Sequence, residues 1–212
     1  MIAILNYGAG NVESVRHALG KIGADSRLTA ERDEILSASG VILPGVGAFG
    51  EAMRQLKCRG LMDCLRRVRM KNTPFLGICI GEQLIFEKSE ESPGIPGLKY
   101  LEGEVKKIQV GNSHAKVPHM GWNQLETRRD DPLFDGLPEK PWFYFVHSYF
   151  AQAQNPENVL ARLSYGNSDM DIAVRDQNLW AVQFHPEKSG QAGLQLLSNF
   201  VKICQMEEDH AR

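Results

Sequence analysis

Apolar positions along the chain fall into two kinds of cluster, and the two alternate. Residues 2–6 form a short apolar run that stops at Tyr7-Gly8-Ala9-Gly10, the pattern of a buried strand ending in a tight turn. Asn11 is a good N-cap residue. Val12, Val15, Leu19 and Ile22 follow at helical spacing, and Gly23 stands where a helix-ending glycine belongs. The unit repeats. Val41-Ile42-Leu43 predicts a second buried strand, then Pro44-Gly45-Val46-Gly47, then a helix from about Glu51 to Arg69. Thr73 to Ile78 predicts a third strand, followed by a helix carrying Leu84, Ile85 and Phe86. Strands alternating with helices predict an α/β fold, with a mostly parallel open sheet flanked by helices on both faces.

From Gly103 to Arg175 the pattern changes. Short extended runs at Val105–Val110, Trp142–Val146, Val159–Leu163 and Ile172–Val174 are separated by turn residues, with no good amphipathic helix among them. This stretch predicts antiparallel strands added to the parallel sheet in the second half. Leu179 to Phe184 is another buried strand. Ser189 is expected to cap a final helix with Leu194, Leu197 and Val201 on one face. No linker, repeat or low-complexity segment divides residues 1–212, so one domain is the simplest expectation.

Composition narrows the class of function. The 212 residues carry a net charge of −2 with both signs dispersed, which gives no electrostatic case for nucleic acid or an anionic membrane as a partner. A chain of this length buries roughly 70% of its unfolded surface, enough for a core without metal or disulfide staples. Its four cysteines form no C-x-x-C pair, and no histidine cluster has metal-ligand spacing, so neither a metal nor another cofactor is expected. No apolar run approaches the length of a membrane span, and no charged leader precedes Ile2, so a cytoplasmic protein is expected.

The strongest chemical signal is Gly77-Ile78-Cys79-Ile80-Gly81, where a buried strand runs into a helix. This is the layout of a nucleophile elbow with cysteine in place of serine. The turn is sharp enough that side chains two positions to either side would clash, and the following helix aims free N–H groups at the sulfur. A cysteine that was only a small core residue would gain nothing from two flanking glycines. Cys58, Cys64 and Cys204 sit in helical segments and are read as such core residues. Among six histidines, His17, His114 and His210 read as solvated. His185 stands at the carboxyl end of the strand Trp180–Phe184, the edge where open parallel sheets form sites, and Glu187 two residues on is placed to orient its imidazole.

With those segments in hand, the chain resembles the class I (triad-type) glutamine amidotransferases. Within them it is similar to the glutaminase subunits that pair with a cyclase to make imidazole glycerol phosphate. The resemblance spans essentially the whole chain. It rests on Asn6–Asn11, Pro44–Phe49, Gly77–Gln83, Pro118–Asn123, Tyr144–Tyr149 and Gln183–Ser189. It implies that Cys79 attacks the glutamine side-chain amide, with His185 as base and Glu187 orienting it. It places the oxyanion donors at the Ile80 N–H and around Gly45, Val46 and Gly47. Gln83, Ser148 and Tyr149 would hold glutamine. Asn11, Trp122, Tyr144 and Lys188 would meet a (β/α)8-barrel cyclase as heterodimer partner, and the ammonia would serve histidine biosynthesis. His119 is assigned to structure or interface and His147 to shaping the pocket. Glu82 departs from the family's usual uncharged residue, and is expected to face outward or toward the partner. Three other readings stand beside this one: a paralogous amidotransferase feeding another pathway such as surface-sugar amidation, a different cysteine hydrolase or chaperone-like protein on the same elbow, and a non-catalytic docking module.

Overall fold

The computed structural model describes residues 1–8, 12–111 and 114–210; the expected cap at Asn11 and the side chain of His210 lie outside them. In chain order the strands are β1 (Ile2–Leu5), β2 (Ser26–Thr29), β3 (Gly40–Gly45), β4 (Phe75–Cys79), β5 (Lys88–Ser89), β6 (Gly103–Lys107), β7 (His119–Gln124), β8 (Glu126–Thr127), β9 (Trp142–His147), β10 (Tyr149–Ala153), β11 (Val159–Tyr165), β12 (Ser168–Asp176) and β13 (Leu179–Val182). The helices are α1 (Val12–Lys21), α2 (Arg32–Ser37), α3 (Phe49–Cys58), α4 (Leu61–Met70), α5 (Ile80–Leu84) and α6 (Gly190–His210).

One sheet organises the chain. Strands β2-β1-β3-β4-β13 run parallel, and β12, β10 and β6 extend the sheet by antiparallel pairing. Alternate residues of β1 enter opposite cores. Ile2 and Ile4 pack with Leu19 of α1 and Leu197 and Phe200 of α6, while Ala3 and Leu5 pack with Leu56 of α3 and Leu65 of α4. A strand buried on both faces has no polar face to show, which is why β1, β3 and β4 read as unbroken apolar runs. The parallel core with its antiparallel extension is the expected fold class.

Three expectations about helices are corrected. The helix over Glu51–Arg69 is two helices, broken where Gly60 takes φ +68°, a conformation that ends α3 and lets α4 start on a new axis. The helix after Cys79 is only α5, five residues long, and Ile85 and Phe86 lie beyond it. The dipole argument at the sulfur therefore shrinks to the N–H groups of one turn. Ser189 precedes α6 and its carbonyl accepts the Gly193 N–H at 3.2 Å, but its hydroxyl does not cap the helix. It donates to the His185 carbonyl (2.6 Å) and accepts the Tyr144 N–H (3.0 Å). Among the cysteines, Cys64 and Cys204 are buried as expected, whereas Cys58 is exposed at the solvent side of α3. A separate two-stranded antiparallel ribbon, β7 with β9, stands beside the carboxyl end of the parallel strands and pairs His119 directly with His147.

Candidate active site

The parallel strands β3, β4 and β13 end side by side, so Gly45, Cys79 and the His185 loop emerge at one edge of the sheet. Cys79 is the sharp corner. It adopts φ +56° and ψ −108°, which a non-glycine residue adopts only under constraint from its surroundings. The neighbouring glycines show that constraint. A Cβ on Gly81 would lie 1.9 Å from the Leu43 carbonyl oxygen, and one on Gly77 would lie 2.7 Å from the Gly81 carbonyl oxygen. Only bare backbone fits at either place.

His185 is fixed from four directions. Its N–H donates to the Tyr144 carbonyl of β9 (2.9 Å), its carbonyl accepts from Ser189, and its Nδ1 meets Glu187 Oε1 at 2.8 Å. Helix α6 packs so closely behind the loop that a Cβ on Gly193 would sit 1.8 Å from the Pro186 carbonyl oxygen. The His185 and Glu187 side chains are each 2% exposed. Burial opposes the imidazolium, but the Cys79 sulfur and the Glu187 carboxylate outweigh it and raise the His185 pKa. Nε2 has no hydrogen-bond partner among the described residues, and His185 lines the same pocket as Cys79. This is the arrangement of a base oriented on one side and open to a reacting proton on the other.

The pocket has a volume of about 260 Å³, at the small end for a metabolite site. Cys79, Ile80, Val46, Gly47, Gln83, Ser148, Tyr149, His147 and His185 line it, so most of the sequence-derived site residues converge. Gly45 lies one step behind, paired with Cys79 in the sheet, and there is no room for a side chain there: a Cβ would meet Tyr7 Oη at 2.6 Å. Tyr7 Oη donates to the Pro44 carbonyl at 2.8 Å, and burial, reinforced by the Cys79 sulfur, keeps its phenol protonated. Gln83 Nε2 donates to the Tyr149 carbonyl and to Gln183 Oε1, which leaves Gln83 Oε1 as a buried acceptor without a partner among the described residues. Trp122, Tyr144 and Lys188 come together on the surface nearby. The Trp122 and Tyr144 rings are 6.1 Å apart, and Lys188 Nζ lies 5.9 Å from the Tyr144 ring centre. Asn11 lies outside the described residues.

Glu82 overturns its expectation. All five residues of α5 are buried, because the helix is wedged among β3, β4, β13 and α3 and has no outward face. Glu82 is fully buried, and neither carboxyl oxygen has a hydrogen-bond partner among the described residues. Burial first, then the charges of Asp171 and Cys79, push its pKa well above the ordinary carboxyl range, so the group is held as neutral acid. One pocket residue had no sequence signal. Glu91 lines the pocket and its carboxylate accepts the Phe49 N–H at 2.7 Å, so it caps α3 from 42 residues away. A single glutamate in a polar loop carries no local mark of that role.

Comparison with known proteins matches these features to one family. The family model for class-I glutamine amidotransferases matches residues 3–204. Imidazole glycerol phosphate synthase subunit HisH of Methanothermobacter thermautotrophicus is 49% identical over 96% of this chain and 98% of its own length. The same subunit of Moorella thermoacetica is 47% identical over 95% and 94%, and that of Bacillus cereus strain G9842 46% identical over 97% and 96%. Among solved structures, one titled glutamine amidotransferase superposes with TM-score 0.75 at 20% identity, over 96% of this chain and 98% of that one. The structure of PurLQS from Thermotoga maritima gives 0.72 at 18%, over 95% and 97%, which shows the shared fold. The chain belongs to the class-I glutamine amidotransferase family.

Proposed function

We infer that this chain is the glutaminase subunit of an imidazole glycerol phosphate synthase. It hydrolyses glutamine to glutamate and ammonia and hands the ammonia to a barrel-shaped cyclase subunit, which makes imidazole glycerol phosphate and aminoimidazole carboxamide ribonucleotide in histidine biosynthesis. One observation carries the chemistry: a strained cysteine at a strand end shares a pocket with a buried histidine whose far nitrogen is held by a glutamate. The extent of likeness to HisH subunits carries the pathway.

The Cys79 thiolate adds to the side-chain amide carbon of glutamine. His185 gives its Nε2 proton to the amide nitrogen, the C–N bond breaks, and ammonia leaves a glutamyl thioester on Cys79. Water then attacks the thioester, with His185 taking its proton, and glutamate departs as the sulfur is released. Glu187 holds the imidazole tautomer throughout. The Ile80 N–H and those of the Gly45-Val46-Gly47 segment are the donors for the developing oxyanion, each worth roughly 3–4 kcal/mol in the transition state. Gln83 Oε1 offers an acceptor to the substrate, Ser148 and Tyr149 close one wall, and the Glu91 carboxylate suits the substrate α-ammonium. The exposed Met120, Trp122 and Trp142, with Val46 and Val117 near the pocket mouth, fit a protein partner placed where ammonia emerges.

Glu82, whose departure from the family's usual residue leaves the paralogous reading open, is buried in the core and gives no ground for choosing between partners. The test measures ammonia released from glutamine with and without the cyclase subunit, in wild type and in Cys79→Ala. Glutaminase activity rising with the cyclase and absent in Cys79→Ala is expected. No ammonia in either condition would sink the reading, as would full activity in Cys79→Ala.

A further inference from the structure

We propose that His119 and Gln183 are positioning residues for the nucleophile and its substrate, the two ends of one buried hydrogen-bonded chain that runs from the β7–β9 ribbon to the Cys79 sulfur. The proposal rests on the reading that Cys79 attacks glutamine.

The proton positions along the chain follow from its acceptors. His147 Nδ1 lies 2.8 Å from the Tyr149 carbonyl oxygen, which only accepts, so Nδ1 carries the proton. Burial keeps this imidazole neutral, its pKa lowered to about 3, so its Nε2 is bare. His119 Nδ1 stands 3.0 Å from that Nε2 and must be the donor. On the other side of the Tyr149 carbonyl, Gln83 Nε2 donates at 3.0 Å, and its second N–H goes to Gln183 Oε1 at 2.8 Å. The Gln183 amide then has its own N–H groups left over, and Nε2 donates to Cys79 Sγ at 3.7 Å, within reach for sulfur. His119, His147, Gln83, Gln183 and Cys79 are all buried, so water cannot replace a missing member.

Two consequences separate this from ordinary satisfaction of buried groups. Both acceptors facing Gln83 demand its NH2 end, which leaves Oε1, buried and without a partner among the described residues, as the acceptor of the amide still free. At the far end, the Gln183 N–H stabilises negative charge on the sulfur, the form that reacts. His119 contributes neither contact directly. It fixes His147, which fixes the carbonyl that fixes Gln83. His119 belongs to the strand whose Met120 and Trp122 are exposed, so the position of the ribbon sets the start of the chain.

The test compares His119→Leu, which removes the donor, with His119→Asn, whose Nδ2–H takes the place of the imidazole Nδ1–H, and Gln183→Met with wild type. Two readouts apply: KM and kcat for glutamine with the cyclase present, and the rate at which iodoacetamide alkylates Cys79 at pH 7, followed on the Cys79 peptide by mass spectrometry. Gln183→Met is expected to slow alkylation and lower kcat at least tenfold. His119→Leu is expected to raise KM at least fivefold with a smaller fall in kcat, and His119→Asn to return KM to within twofold of wild type. If His119→Leu does not fold, His119→Ser, too short to reach His147, takes its place. Equal KM in the donor-lacking and Asn variants, or an unchanged alkylation rate in Gln183→Met, overturns the proposal. Alkylation needs no glutamine turnover, so failure of the glutaminase reading shows separately, as activity surviving in Cys79→Ala.

Discussion

Glu82 sets the chemistry of a side chain against its place in the fold more sharply than any other residue near the site. Asp171, the acidic neighbour, has the Arg162 guanidinium at 2.7 Å and the Ala153 N–H at 2.9 Å, whereas Glu82 has no hydrogen-bond partner among the described residues. Burial without a partner therefore keeps the proton on Glu82. Because the folded-state pKa is raised, the sign of the linkage is fixed. Below the ordinary carboxyl value of 4.5 both folded and unfolded chains hold the proton, and Glu82 adds no pH dependence. As pH rises above that value the unfolded chain releases its proton and the folded chain does not, so stability falls by roughly 1.4 kcal/mol per pH unit while the difference lasts. Glu82→Gln removes the titration. Its stability gain over wild type is expected to be smallest near pH 4 and to grow toward pH 8, as read by urea denaturation at several pH values. A gain that does not change with pH would contradict the assignment. Nothing in the sequence around Glu82 foretold this. The type of residue suggested an outward face, and only the wedging of α5 denies it one.

At the scale of elements, the elbow depends on two backbones passing closer than any side chain allows. Gly81→Ala must move either α5 or the end of β3, because its Cβ would overlap the Leu43 carbonyl oxygen. The expected loss is ~3 kcal/mol or more of unfolding free energy, of the kind that overpacking produces, together with slower alkylation of Cys79. A Gly81→Ala protein with wild-type stability would show that the approach is looser than described. The glycines of this elbow, the apolar runs of the doubly buried strands and the His-x-Glu spacing were all legible, because each is a local demand that only particular residue types meet. The break at Gly60 was not, since glycine in a helical row is tolerated and only its φ of +68° reveals the stop. Strand β2 and helix α2 went unread. Their residues alternate little and are half exposed, so their order comes from pairing with β1 and packing on α4. Gln183 and Glu91 escaped for a related reason. Gln183 reaches a sulfur 104 positions away, and Glu91 caps a helix 42 positions away; neither relation leaves a trace in local spacing.

For the whole molecule, one sheet shared by two cores argues that the described chain unfolds as a unit. We propose that residues 1–212 form a single domain, which predicts one urea transition, coincident by far-ultraviolet circular dichroism and by tryptophan fluorescence; two separated transitions would divide it. The same architecture leaves three large apolar side chains exposed on the ribbon. Met120 and Trp122 of β7 and Trp142 of β9 are each more than half exposed, on the ribbon that also holds Tyr144 beside Lys188. A tryptophan half open to water contributes little to the stability of the free chain, but buried against a partner it is the kind of residue that dominates an interface. Trp122→Ala is therefore expected to leave the urea midpoint within error of wild type. Binding to the cyclase subunit, measured by titration calorimetry, should weaken by about 2 kcal/mol or more, roughly thirtyfold in Kd. Ammonia transfer at low cyclase concentration should fall in step and recover when the cyclase is raised above the weakened Kd. Undiminished binding would remove Trp122 from the interface. A fall in stability equal to the loss of binding would make it a core residue of the ribbon instead.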